Sequence, residues 1–92
     1  MTKQIFKYPL QVTDTQFISM PEGAEILTVQ VQRDAPCLWA LVDQKLPDTT
    51  RHIETFGTGQ PVDIDAGIER KYIGTYQLCY STLVFHVFER IQ

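Results

Sequence analysis

The residues best suited to chemistry surround one glycine-containing loop in the second half of the chain. The segment Gly57-Thr58-Gly59-Gln60-Pro61 has backbone N–H groups of the kind that can surround an anion. Basic residues precede and follow this loop, and they border one surface if the loop folds back. Guanidinium and ammonium groups bind phosphate through charge-assisted hydrogen bonds. The expected ligand-binding residues are therefore Arg51, His52, Thr58, Gly59, Gln60, Arg70 and Lys71.

The loop does not match the established nucleotide-binding motifs. No Lys-Ser or Lys-Thr pair follows it, which excludes a P-loop, and the third glycine of a dinucleotide fingerprint is missing. The alternative interpretation is a flexible turn that only connects two strands.

Residues that commonly catalyse reactions or bind metals are few and isolated. Of the two histidines, His86 falls within a strongly predicted strand and is expected to be structural, and His52 is expected to be exposed. Cys37 and Cys79 lack metal or redox spacing, and nothing nearby in the sequence activates either thiol. The acidic residues 63–69 fail the pattern of a calcium loop. We expect no catalytic residue, no metal site and no cofactor.

Length and charge restrict the class of protein. The chain has 92 residues, the size of one domain (1–92), and a core this small favours a homo-oligomer. The 8 basic and 11 acidic residues give a net charge of −3, which disfavours binding to duplex nucleic acid. No signal peptide and no membrane-spanning segment is predicted, so we expect a cytoplasmic protein with two reduced thiols.

Alternating apolar and polar residues predict strands throughout the chain, and no segment has helical spacing. The expected fold is all-β, a small antiparallel sandwich or partly open barrel of six to seven short strands. The predicted strands cover residues 4–8, 16–20, 25–32, 37–42, 51–56, 71–78 and 82–91.

Three of these strands carry specific expectations about burial. In residues 25–32, the alternation places Leu27, Val29 and Val31 on the buried face. Residues 37–42 are apolar on both faces, which indicates either a central strand or one whose outer face is covered by a partner. In the last strand, Leu83, Phe85 and Val87 are expected to fill the core, while Val84 and Phe88 meet another layer or subunit.

Six segments together resemble a family of short uncharacterised proteins found in bacteria and their phages, classed as a domain of unknown function. The segments follow the order of the family and cover most of the chain: 7–10 (KYPL), 20–27 (MPEGAEIL), 37–43 (CLWALVD), 56–59 (FGTG), 72–75 (YIGT) and 83–89 (LVFHVFE). Family members often have histidine before the proline of the Gly-Thr-Gly loop, where this sequence has Gln60.

The resemblance implies a bacterial or phage setting, in the cytoplasm of the bacterial host, and a role in stoichiometric binding. The first hypothesis is a non-enzymatic phage counter-defence protein that sequesters a small anionic, nucleotide-derived signal. The alternative is a protein–protein inhibitor or adaptor that acts on a host defence protein through an apolar or acidic face. An enzyme ranks last, because no local catalytic motif is present.

Overall fold

The computed structural model describes residues 2–92, which form seven β-strands and no helix. The strands make two antiparallel sheets, one of order β1-β4-β3 and one of order β2-β5-β7-β6, and the sheets are not closed into a barrel. The predicted all-β fold is therefore confirmed, as a two-sheet sandwich. The strands are β1 (Gln4–Pro9), β2 (Thr15–Pro21), β3 (Glu25–Gln32), β4 (Ala35–Val42), β5 (Asp48–Gly57), β6 (Arg70–Leu78) and β7 (Leu83–Arg90).

The two local hairpins follow from tight turns with left-handed backbone. Arg33 and Asp34 have φ angles of 52° and 64° and join β3 to β4 as a two-residue turn whose twist suits a hairpin. Between β6 and β7, the three residues Cys79, Tyr80 and Ser81 all have positive φ. Non-glycine residues rarely adopt this conformation, so the second turn is the more strained of the two.

The core lies between the sheets and is centred on β4. Leu38, Ala40 and Val42, on the inward face of β4, are fully buried. Ile53 of β5 and Val87 of β7 are also fully buried on the opposing sheet. The segment that is apolar on both faces is thus the central strand of its sheet.

A β-bulge in β3 overturns one expectation about burial. The pairing of β3 with β4 shifts between Ile26 and Thr28, so the extra residue, Leu27, leaves the regular alternation. Ile26 packs on the core with Val29, and Leu27 is 42% exposed. The expectation that Leu27 shares the buried face of Val29 is therefore wrong.

The predicted core packing of Phe85 and Val87 on the inward face of β7 is confirmed, and that of Leu83 is wrong. Val87 is fully buried and Phe85 packs against the core, but Leu83 is 46% exposed. Leu83 pairs with Leu78 at the end of the hairpin, where Leu78 packs against the core and Leu83 does not. Glu89 is buried on this strand as well.

The sheets approach most closely where β3 faces β6. A Cβ atom at Gly74 of β6 would lie only 2.8 Å from Cγ1 of Val29 in β3. A glycine is therefore required here for the two strands to pack at this distance. A second β-bulge lies beside it, where the pairing of β6 with β7 shifts between Tyr72 and Gly74.

Candidate functional site

The outward face of the four-stranded sheet carries a group of aromatic residues beneath the loop of residues 58–69. The register pairs Phe56 of β5 with His86 of β7, and Phe88 of β7 with Tyr72 of β6. With the loop above them they form a pocket of about 240 Å³, called here the outer pocket. Its lining residues are Phe56, Gly57, Thr58, Gly59, Gln60, Val62, Tyr72, His86 and Phe88.

The floor of the outer pocket is held by contacts between rings. Phe88 makes edge-to-face contacts with Phe56 and with Tyr72, with centroid distances of 5.9 and 5.3 Å. Such contacts are favoured by the ring quadrupoles and fix the relative positions of the three rings. Tyr72 remains 56% exposed, so its ring forms an accessible wall of the pocket.

A chain of side-chain hydrogen bonds joins the loop to the sheet through His86. The Tyr72 hydroxyl lies 2.5 Å from Oγ1 of Thr75, which lies 3.0 Å from Nδ1 of His86. The other ring nitrogen, Nε2, lies 2.8 Å from Oγ1 of Thr58. Because each hydroxyl can donate or accept, the chain accommodates either tautomer of the imidazole. His86 thus positions the loop and also lines the outer pocket.

The glycine loop satisfies much of its own backbone. Gln60 Oε1 accepts a hydrogen bond from the Gly57 N–H at 2.9 Å, and the Gln60 N–H donates to the Gly57 carbonyl at 3.0 Å. The Thr58 N–H donates to the carbonyl of Val84 at 3.2 Å. These three N–H groups therefore serve the loop and are not directed at a ligand. The side chains and the floor, more than the backbone, present the chemistry of the pocket.

Arg70 connects the loop to the outward face of the sheet. Its Nε donates to Oε1 of the buried Glu54 at 2.6 Å, and its Nη1 donates to the carbonyl of Asp63 in the loop at 2.6 Å. Its guanidinium lies 5.2 Å from the centroid of the Phe56 ring, a cation–π contact. Arg90 Nη1 reaches the other oxygen of Glu54 at 3.3 Å.

Arg51 lies on the opposite, inward face of the same sheet. Its Nε and Nη2 donate to the two carboxylate oxygens of the buried Glu89, and its Nη1 donates to the carbonyl of Ala24 at 2.8 Å. The hydrogen bond to Glu89 raises the pKa of Arg51 and outweighs the opposing effect of burial. Arg51 therefore stays charged, and it links the four-stranded sheet to the residue that precedes β3.

The four basic residues expected to converge are divided between two faces. His52 and Arg70 face outward in one cross-strand row, with Arg90 between them. Arg51 and Lys71 face inward, and both line a different cavity with Glu89. The division follows from strand geometry, because successive residues of a strand point to opposite faces.

Sequence reasoning located the loop and missed the floor beneath it. Thr58, Gly59 and Gln60 line the outer pocket, and Arg70 lies beside it on Phe56. His52 stacks on Phe17 at a centroid distance of 4.6 Å and is not part of the lining. The missed lining residues are Phe56, Tyr72, His86 and Phe88. The alternation of β7 signals that His86 and Phe88 share a face, but strand pairing is needed to add the other two.

Residues 2–92 contain no group of three or more His, Cys, Asp or Glu side chains arranged to hold a metal ion. The two cysteines are not bonded to each other, and Cys37 is buried while Cys79 is exposed. In the same described part of the chain, no helix is long and apolar enough to cross a membrane.

Comparison with known families places the chain in one of them. Residues 1–92 match the family described as Domain of unknown function (DUF7352). The chain belongs to this family. Neither a curated protein nor a solved structure matches the chain. The match covers all seven strands and both the floor and the loop of the outer pocket.

Proposed function

We propose that this protein binds, without transforming it, a small nucleotide-derived ligand whose flat ring occupies the outer pocket. The observation that supports this most strongly is the aromatic floor of Phe56, Tyr72 and Phe88 beneath a hydrogen-bonded loop. A nucleobase stacked on an aromatic side chain contributes about 1–3 kcal/mol of binding free energy.

The size of the pocket supports a ring rather than a whole nucleotide as the buried group. Its volume of about 240 Å³ is below the roughly 300–1,000 Å³ of typical ligand pockets. The remainder of the ligand would extend over the adjoining outward face. Apolar walls with a few fixed polar groups are typical of sites that recognise such a ring.

The neighbouring cross-strand row supports an anionic group on the ligand. Arg70 and Arg90 contribute two positive charges and share the single carboxylate of Glu54, which leaves this group one net positive charge. His52 lies in the same row as these two arginines. A phosphate attached to a ring in the outer pocket would gain charge-assisted hydrogen bonds from this row.

The resemblance to short proteins of bacteria and phages supports a more specific role. In this proposal, a phage produces the protein in the cytoplasm of its bacterial host, where it sequesters a nucleotide-derived immune signal. Sequestration requires binding only, which agrees with a site built from rings and hydroxyls.

Titration calorimetry against cyclic dinucleotides, ADP-ribose derivatives and mononucleotides tests the proposal. Tyr72→Ala should weaken binding of the ligand about tenfold, because it removes one stacking wall. Tyr80→Ala is the matched control, since Tyr80 is fully exposed on the β6–β7 turn and outside the pocket lining. The proposal fails if no compound binds, or if the two variants bind equally well.

A second candidate function, binding to a host protein, is favoured by the outward face of the three-stranded sheet. Ile5 is 61% exposed there and pairs with the half-buried Leu41, next to Trp39. Exposed apolar neighbours of this kind mark protein-binding surfaces when they form a patch. A specific partner captured from host lysate, lost in Ile5→Glu and retained in Tyr72→Ala, would establish this function instead.

A further inference from the structure

A second cavity, called here the inner cavity, lies between the sheets on the side where β3 faces β6. It has a volume of about 170 Å³, and four charged side chains line it: Glu25, Arg51, Lys71 and Glu89. It also contacts Leu27 and Ile73, the extra residues of the two β-bulges. Both irregularities of the sandwich therefore meet at one cavity.

Bulges interrupt the ladder of backbone hydrogen bonds and occur frequently next to functional sites. In β3 the bulge turns Leu27 out of the alternation, and in β6 it falls directly before Gly74, where the two strands are closest. The two bulges lie on facing strands, and the inner cavity lies beside their extra residues, next to the close approach of Val29 and Gly74.

The four charges lining the inner cavity fall into two kinds. Arg51 and Glu89 neutralise each other through two hydrogen bonds, and their side chains are only 18% and 8% exposed. Lys71 and Glu25 are exposed, and within residues 2–92 neither takes part in an ion pair. The lining thus offers one ammonium and one carboxylate that are not engaged with other charged side chains.

The buried Arg51–Glu89 pair on the wall of the inner cavity carries a desolvation cost. Replacing a buried ion pair with apolar residues of similar volume is often neutral or stabilising, because desolvation offsets the attraction between the charges. A charged wall inside a small sandwich therefore suggests a ligand that needs a polar surrounding. A ligand that complements the lining carries both signs of charge, since Lys71 and Glu25 offer one ammonium and one carboxylate beside the neutralised Arg51–Glu89 pair.

We propose that the inner cavity is a second binding site, which takes a small zwitterion of the α-amino acid class. The carboxylate of the ligand faces Lys71, its ammonium faces Glu25, and the Arg51–Glu89 pair forms the polar wall. At about 30 Å³ of liquid per water molecule, the volume corresponds to about six waters, which limits the ligand to a short side chain. Tyr72 is the one residue that the lining of the inner cavity shares with that of the outer pocket, and this proposal does not depend on the function proposed for the outer pocket.

A chemical-shift titration of the ¹⁵N-labelled full chain tests the proposal, with alanine, propionate and ethylamine as probes. Alanine should shift the amide signals of residues around Glu25 and Lys71. Propionate and ethylamine each keep only one of its charges and should bind at least about tenfold more weakly. The proposal is overturned if alanine shifts nothing there, or if propionate binds as tightly as alanine, which would indicate a simple anion site.

Charge-neutralising variants provide the second readout. Lys71→Gln and Glu25→Gln should each weaken alanine binding about tenfold while the melting temperature stays within a few degrees, because both side chains are exposed. Lys45→Gln and Glu22→Gln are matched controls on exposed positions outside the lining. Unchanged alanine binding in Lys71→Gln and Glu25→Gln would overturn the proposal. Nucleotide titration of the same variants reports the outer pocket independently.

Discussion

Two buried glutamates on neighbouring strands bind arginines and connect different parts of the molecule. Glu89 of β7 faces inward and binds Arg51, which also reaches the Ala24 carbonyl next to the opposite sheet. Glu54 of β5 faces outward and binds Arg70, which also reaches the Asp63 carbonyl in the loop. The inner pair therefore joins sheet to sheet, and the outer pair joins loop to sheet.

A basic residue beside a candidate loop is therefore not by itself a ligand contact, because its guanidinium can be bound by the protein. Of the five N–H donors of a guanidinium, Arg51 has three and Arg70 has two occupied by protein acceptors. What differs is the number of partners: Glu54 is shared by Arg70 and Arg90, and the Arg90 side chain is 28% exposed, while among residues 2–92 Glu89 binds Arg51 alone. The outer network therefore holds the loop beside the outer pocket, whereas the inner network joins the two sheets and forms one wall of the inner cavity.

The largest expected effect comes from breaking the inner pair. Arg51→Ala leaves the carboxylate of Glu89 buried without its partner, and we expect the free energy of unfolding to fall by about 3 kcal/mol. Urea denaturation followed by circular dichroism measures this loss.

The control for this prediction removes both charges. In the double variant Arg51→Met with Glu89→Leu, neither charge of this pair remains, so most of the lost stability should return. A double variant as unstable as Arg51→Ala would contradict the interpretation that an uncompensated carboxylate is the cause.

A smaller and more local effect is expected from the outer pair. Glu54→Gln removes the charge that Arg70 and Arg90 share, and we expect a loss of about 1–2 kcal/mol. Because Arg70 also holds Asp63, hydrogen exchange should become faster in the loop of residues 58–69 than in β4. Equal acceleration in both segments would show that the outer pair does not act on the loop specifically.

The smallest expected effect on stability comes from removing single tyrosine hydroxyls, one buried and one exposed. The Tyr76 hydroxyl is buried between the sheets with no hydrogen-bond partner among the described residues, while the Tyr72 hydroxyl outside is bonded to Thr75. Tyr76→Phe should therefore stabilise the protein near neutral pH by up to about 1 kcal/mol. Tyr72→Phe should cost less than about 0.5 kcal/mol, because its position is exposed.

The same tyrosine gives a pH dependence whose direction follows from burial. Burial raises the pKa of Tyr76 above the usual 10.0, because the phenolate is disfavoured in the core. The unfolded chain then releases this proton at a lower pH than the folded chain does. Stability should therefore fall as pH rises above about 10, and the fall should be smaller in Tyr76→Phe than in the wild type. Identical alkaline unfolding curves would contradict this assignment.

The strands were predictable from the sequence because their alternation and turn residues agree. The seven predicted segments each correspond to one observed strand, although β5 begins at Asp48, three residues earlier than predicted. The bulge in β3 was not predicted, because Leu27, Val29 and Val31 alternate without a break, and only the pairing with β4 identifies Leu27 as the extra residue. The exposure of Leu27 is the direct result.

The part of the candidate site that is continuous in sequence was predictable, and the part assembled from different strands was not. Gly57-Thr58-Gly59-Gln60 is one stretch of sequence, and its turn-forming composition identifies it as a loop. The floor combines three strands, so it depends on the register of β5, β6 and β7. One signal was available in the sequence: adjacent residues of a strand point to opposite faces of its sheet. Arg51 with His52, and Arg70 with Lys71, had to separate once both pairs lay in strands.

The order of the strands also determines whether a fragment of the chain can contain a complete sheet. β1 pairs with β4, and β2 pairs with β5, so each sheet begins with a strand from the first 21 residues and is completed by later ones. No cut along the chain separates one sheet from the other. A fragment that ends before Ala35 holds β1 and β2 with neither of their partners, and a fragment that starts after Pro21 lacks an edge from both sheets. The outer pocket and the inner cavity therefore both depend on the same intact pair of sheets.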